Sequence, residues 1–259
     1  MKTESQPKKI KKVSKIFTMC VAIIAICLTL SMADLFSSLI TVGGFTFTSS
    51  DISLSKYNLY AVYTNSTESK VQADEYSATC KAQGGAGYIY LNDSKFFIIA
   101  SIYENESDAA KVLENIKTNN SSASITGISI PQIYFSSNLS GDEKTTLENA
   151  LNIFKTTYKK LYDISVSLDT SLINEVNARL EINQIGSNIT TISSNFTTIF
   201  NNQMTNNFLN IKLKLNDLLT CIDNLINASS NFPFTSLIKN AYCECLFLYK
   251  SLAENLINT

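Results

Sequence analysis

The sequence predicts an α+β protein carried on an N-terminal transmembrane helix. Three observations predict it. Residues 57–136 switch between strand-like alternation and helical periodicity in the order β-α-β-β-α-β. Residues 141–259 place apolar side chains at alternating steps of four and three. Residues 16–33 carry no charge at all.

The first element is the tether. Lys8, Lys9, Lys11, Lys12 and Lys15 form a basic tail over residues 1–15. An apolar anchor follows over residues 16–42, interrupted once by Asp34. About 20 apolar residues cross a bilayer core, so the run is long enough. Lysines on its N-terminal side only put the N-terminus in the cytoplasm and the bulk of the chain outside. Ser31-Met32-Ala33 also fits a cleaved signal peptide, which exports the same residues. Residues 43–56, rich in Ser, Thr and Gly, read as a flexible spacer.

The module at residues 57–136 opens with a strand over 57–63. Thr67 or Ser69 caps a helix from Lys70 to about Gln83, whose small face (Val71, Ala73, Ala78, Ala82) suits packing on a sheet. Gly84-Gly85-Ala86-Gly87 ends it with a left-handed cap. These glycines follow a helix and enter a strand, the reverse of a phosphate-cradling loop. Strands at 88–91 and 95–103 flank a hairpin turn at Asn92-Asp93-Ser94. The strand at 95–103 is the most apolar and is expected at the sheet centre. Ser107 is expected to cap a second helix, with Ala109, Val112, Leu113 and Ile116 inward. A last strand lies within 124–135, with Pro131 at its end or on an edge.

Both helices then cover one face of the sheet. Strand parity assigns Tyr60, Val62, Phe96, Ile98 and Ala100 to that face. Leu59, Ala61, Tyr63, Lys95, Phe97, Ile99 and Ser101 line the other, which is expected to be open or to pack under the C-terminal helices. If open, its rings can stack on sugars and its hydroxyls can bond theirs.

These residues resemble the SPOR (sporulation-related repeat) domain. The likeness lies in Leu59-Tyr60-Ala61-Val62-Tyr63, a helix, Gly84-Gly85-Ala86-Gly87-Tyr88-Ile89, the strand at 96–103, and Ser107-Asp108-Ala109-Ala110. Tyr63 stands where the family carries Gln, and Phe97 where it often carries Arg. The resemblance implies binding of peptidoglycan glycan strands stripped of stem peptides, through the open sheet face. It also implies a bacterial, single-pass cell-membrane protein of cell division, sporulation or wall remodelling.

Residues 141–259 read as an antiparallel bundle of three or four helices, with Pro233 near the first turn of the last. Its stripes fit a bundle core, or a coiled coil that recruits a protein partner or self-assembles.

Composition narrows the chemistry. The chain of 259 residues has no histidine, which removes Ser-His and Cys-His pairs and the commonest zinc ligand. Arginine occurs once, at Arg179, so no arginine cluster clamps phosphate. A net charge of −1 gives no reason to expect nucleic acid. Cys243-x-Cys245 lacks the companions of a metal site; the exported cysteines read as buried thiols, with a bridge among them left open. The expectation is a non-enzymatic binding protein without cofactor or metal, alternatively a structural protein that binds no glycan.

Overall fold

The computed structural model describes residues 51–118, 122–136 and 139–257. The basic tail, the anchor and most of the spacer lie outside the described residues. Among the described residues no helix is long and apolar enough to cross a membrane. The described residues form an α+β fold with six α-helices and two antiparallel sheets.

The larger sheet contains β2 (Tyr57–Thr67), β3 (Tyr88–Asn92), β4 (Lys95–Tyr103) and β5 (Ser124–Ile130), in the order β3-β4-β2-β5. Helix α1 (Lys70–Ala82) follows β2, and α2 (Glu106–Lys117) follows β4. This is the split βαβ order, with the apolar β4 in the interior as expected. Ala73 and Cys80 of α1 pack with Ile98 and Ala100 of β4, and Ile116 of α2 joins them.

Local chemistry sets the boundaries. The Ser69 side chain accepts the Gln72 N–H and starts α1. Gly84 takes φ +88° just past the helix end. At Gly85 a Cβ would lie 2.6 Å from the Cys80 Sγ, so the close return of the chain requires glycine. Asp93 and Ser94 both have positive φ, the twist of a tight hairpin. Ser107 is not a cap. Helix α2 begins two residues earlier, behind Asn105, whose side chain makes no capping bond. Its first turn carries Glu106 and Asp108, which complement the helix dipole instead.

Two further expectations are corrected. Residues 51–54 are not spacer: β1 (Asp51–Leu54) pairs antiparallel with β6 (Ile133–Ser136) in a separate ribbon. Ile52 and Leu54 are buried there with Ile133, so apolar burial orders what Ser and Thr content read as loose. The last strand is two strands, because Pro131 has no N–H for the ladder and separates β5 from β6.

Four helices complete the fold: α3 (Gly141–Asp169), α4 (Glu175–Phe200), α5 (Asn206–Ile226) and α6 (Phe234–Ile257). They form an up-down-up-down bundle, α3 packing on α4 and α6, and α5 on α4 and α6. A capping box starts α3: Ser140 N–H donates to Glu143 Oε2 at 2.7 Å, and the Ser140 hydroxyl accepts the Glu143 N–H. The core buries Leu147, Leu151, Phe154, Ile182, Ile189, Phe196, Leu215 and Leu218, each worth about 1.5–3 kcal/mol by area. At one end Phe196, Phe200 and Phe208 meet at centroid distances of 4.3–6.1 Å, and Phe135 of β6 stacks on Phe208 at 5.7 Å. Gly186 lets α4 approach α5, since a Cβ there would already touch Ile222 at 3.4 Å.

Helix α6 decides what the sheet can do. It belongs to the bundle and also packs on β3, β4, β5 and β6. The Phe247 ring stacks on Tyr88 at 5.1 Å and on Tyr90 at 4.5 Å. The Tyr242 hydroxyl accepts the main-chain N–H of Ile102 at 3.1 Å. The second face of the sheet is therefore closed by the chain's own last helix.

Candidate ligand-binding site

Parity holds from Tyr57 to Tyr63 of β2 and over the first half of β4, and a second irregularity follows at Thr64. Tyr63 and Phe97 meet edge to face at 5.2 Å, and Ile99 pairs across strands with Tyr88, beneath Phe247. This face is nevertheless no open platform. Leu59 (2% exposed), Ala61 (0%) and Ile99 (1%) lie buried, so they are core and cannot meet a ligand. Ser101 does not belong with them. The ladder slips beside Tyr63, so Val62 pairs with Ser101 while Tyr63 pairs with Ile99. Such a bulge reverses the facing of residues beyond it. Ile102, not Ser101, takes the place across from Ala61.

What remains accessible is one corner. Tyr63 and Phe97 are half-buried and Lys95 is exposed. Beside them a shallow, open groove is lined by Ser66, Thr67, Glu68, Ser69, Gln72 and Lys95. Lys70 and Asp74, an exposed pair one turn apart on α1, stand nearby in sequence.

A second site is formed at the seam between sheet and bundle. It is a cavity of about 280 Å³, with Leu59, Ile102 and Leu246 in its apolar wall. Tyr103, Tyr158, Tyr162 and Tyr242 supply rings and hydroxyls. Tyr162 stands edge to face against both Tyr103 (6.4 Å) and Tyr242 (5.8 Å). Glu104, at the end of β4, anchors the polar rim: it pairs with Lys159 at 2.8 Å and accepts the Tyr57 hydroxyl. Tyr158 donates to the Tyr57 oxygen at 2.5 Å. The ammonium of Lys155 lies 4.8 Å over the Tyr57 ring.

Burial and pairing both act on the ionisable groups of this cluster. Burial opposes ionisation of Glu104, but the Lys159 ammonium and the Tyr57 hydroxyl outweigh it and hold the carboxyl below its usual range. Burial, then the bond to Glu104, pushes the Tyr57 phenol well up, and burial with the Tyr57 bond does the same to Tyr158. Both phenols therefore stay protonated and act as hydrogen-bond groups. Burial raises the nearby Asp163 carboxyl. Among the described residues no group of three or more Cys, Asp or Glu side chains could hold a metal ion.

The sequence reading missed this cavity because its parts are far apart: residue 104 follows β4, 158 and 162 sit on α3, and 242 on α6. One signal was present. Tyr242, Leu246, Phe247 and Tyr249 lie off the heptad stripe of the last helix, and a helix apolar on several sides is buried on several sides. Compared with family models, curated proteins and solved structures, the chain matches none. Fold and site define it as a split βαβ sheet closed by a four-helix bundle.

Proposed function

We propose that this chain is a non-catalytic protein of the bacterial cell envelope, held to the membrane by residues 16–42, with a SPOR-like sheet module that acts through protein contacts of its helical bundle. One observation carries the reading. Helix α6 occupies the sheet face through which the resemblance would have placed a glycan strand, with Phe247 on Tyr88 and Tyr90 and Tyr242 on Ile102. Displacing it would re-expose Leu59, Ala61 and Ile99 to water, at about 25 cal/mol per Å² of apolar surface. The outer helices α4 and α5 meanwhile present Val176, Leu180, Leu209 and Leu213 to solvent. The role in division, sporulation or wall remodelling follows from the resemblance.

A second reading keeps peptidoglycan as the ligand and moves the contact to the Tyr63–Phe97–Lys95 corner. The accessible edge-to-face ring pair beside an exposed ammonium favours it. A ring pair of this kind can hold one sugar face, and the lysine can bond its hydroxyls.

Co-sedimentation with amidase-treated wall sacculi separates the two. The protein-contact reading expects no enrichment over untreated sacculi, and crosslinks to protein from photoreactive residues placed at Leu180 and Leu213. Enrichment that disappears in Phe97→Ala establishes the corner as a glycan site and overturns the first reading.

A further inference from the structure

Helices α5 and α6 are consecutive and antiparallel, and each sends one cysteine into their shared interface. The Sγ atoms of Cys221 and Cys245 are 3.8 Å apart. A disulfide holds them at about 2.05 Å, so each sulfur must move by only about 0.9 Å, within reach of small side-chain rotations. Both residues are buried. Neither of the other described cysteines competes. Cys243 is two residues from Cys245 and lies on another side of α6. Cys80 packs with Ala73, Ile98 and Ala100 and lies within electrostatic reach of Cys243, but is not among the groups that act on Cys221.

We propose that Cys221 and Cys245 are a redox-convertible pair that closes to a disulfide between α5 and α6 when the chain meets a thiol–disulfide oxidant. Two S–H bonds are replaced by one S–S bond. The two electrons reduce the oxidant's disulfide, and its two product thiols take up the two protons. The Cys221 thiol is held protonated by its hydrogen bond with Cys245 and by burial, so closure belongs to folding or to opening of the bundle rather than to attack on the packed structure. The bond would staple the hairpin whose second helix closes the sheet. Its occurrence in cells rests on the exported topology, since disulfides persist in oxidising compartments; its geometry does not.

The test uses the full chain in detergent micelles, unfolded and refolded in oxidised and reduced glutathione, then acid-quenched, alkylated and digested. The six thiols of the chain should fall to four, with Cys221 linked to Cys245 in one dithiothreitol-sensitive peptide pair. Cleavage after Glu244 separates Cys243 from Cys245 and fixes the assignment. The oxidised chain should melt several degrees above the reduced one, and Cys245→Ser should retain its five thiols. Six thiols after refolding, or a bridge through Cys80 or Cys243, overturns the pairing. A bridge that closes in the purified chain but is reduced in cells overturns the exported topology and leaves the pairing standing.

Discussion

The phenol of Tyr242 accepts the main-chain N–H of Ile102 at 3.1 Å, across 140 residues of sequence. The β2–β4 ladder slips beside Tyr63, and β3 pairs with β4 only up to Ile99. Beyond that irregularity Ile102 faces α6, and a helix side chain supplies a partner for its buried N–H. A hydrogen bond to a side chain thus joins the sheet to the bundle.

Tyr242→Phe keeps the ring in place and leaves that N–H unpartnered. Loss of a buried partner costs about 1–3 kcal/mol. Urea unfolding should show a lower midpoint at unchanged slope. A loss below about 0.5 kcal/mol would mean that water reaches Ile102 in the variant.

Phe247→Ala should uncover Tyr88 and Tyr90. Two stacked pairs contribute about 0.5–1.5 kcal/mol each beyond burial, so destabilisation of roughly 2–4 kcal/mol is expected once the cavity is included. The variant also tests closure directly. Binding of a hydrophobic dye, or of denuded glycan, should appear only after this substitution.

The Glu104 cluster predicts an acid-sensitive contact. Its carboxyl is held below the usual range in the fold, so its contribution is complete above the unfolded value and is lost as pH falls through the folded one. The difference in melting temperature between the wild type and Glu104→Gln should be largest near neutrality and shrink below about pH 4. A constant difference across that range would show that the charge of the carboxylate contributes nothing to the contact.

Gly186→Leu should loosen the α4–α5 contact. The new side chain would meet Ile222 and Ile226, which already stand 3.4 and 3.5 Å from a bare Cβ. Overpacking of about 1–3 kcal/mol is expected against a helix-propensity gain of about 1. The net fall should appear as a lower thermal midpoint.

Much of the fold was legible because it is written in local patterns. Ser69, the Asp93-Ser94 turn, Gly84 and the stripe through Leu215, Leu218 and Ile222 act over a few residues, and each forms the element it signals. The site was not legible. Parity correctly faced Leu59, Ala61 and Ile99 away from α1 and α2, but could not say what covered them. That cover is Tyr242 and Phe247, and only their departure from the heptad stripe marked a second buried side of α6. The ladder irregularity that turned Ser101 leaves no pattern in the sequence, since Ser101 and Ile102 fit either facing.

The ribbon of β1 and β6 has a mechanical consequence. Asp51 is opposite Ser136, and Leu54 is opposite Ile133. The chain enters β1 and leaves β6 at the same end of the ribbon. A pull on residue 51 against the bundle therefore loads the hydrogen bonds one after another, as a zipper opens, instead of shearing them together. The ribbon would yield first under tension, releasing a few residues of slack while the four-stranded sheet and the bundle stay folded.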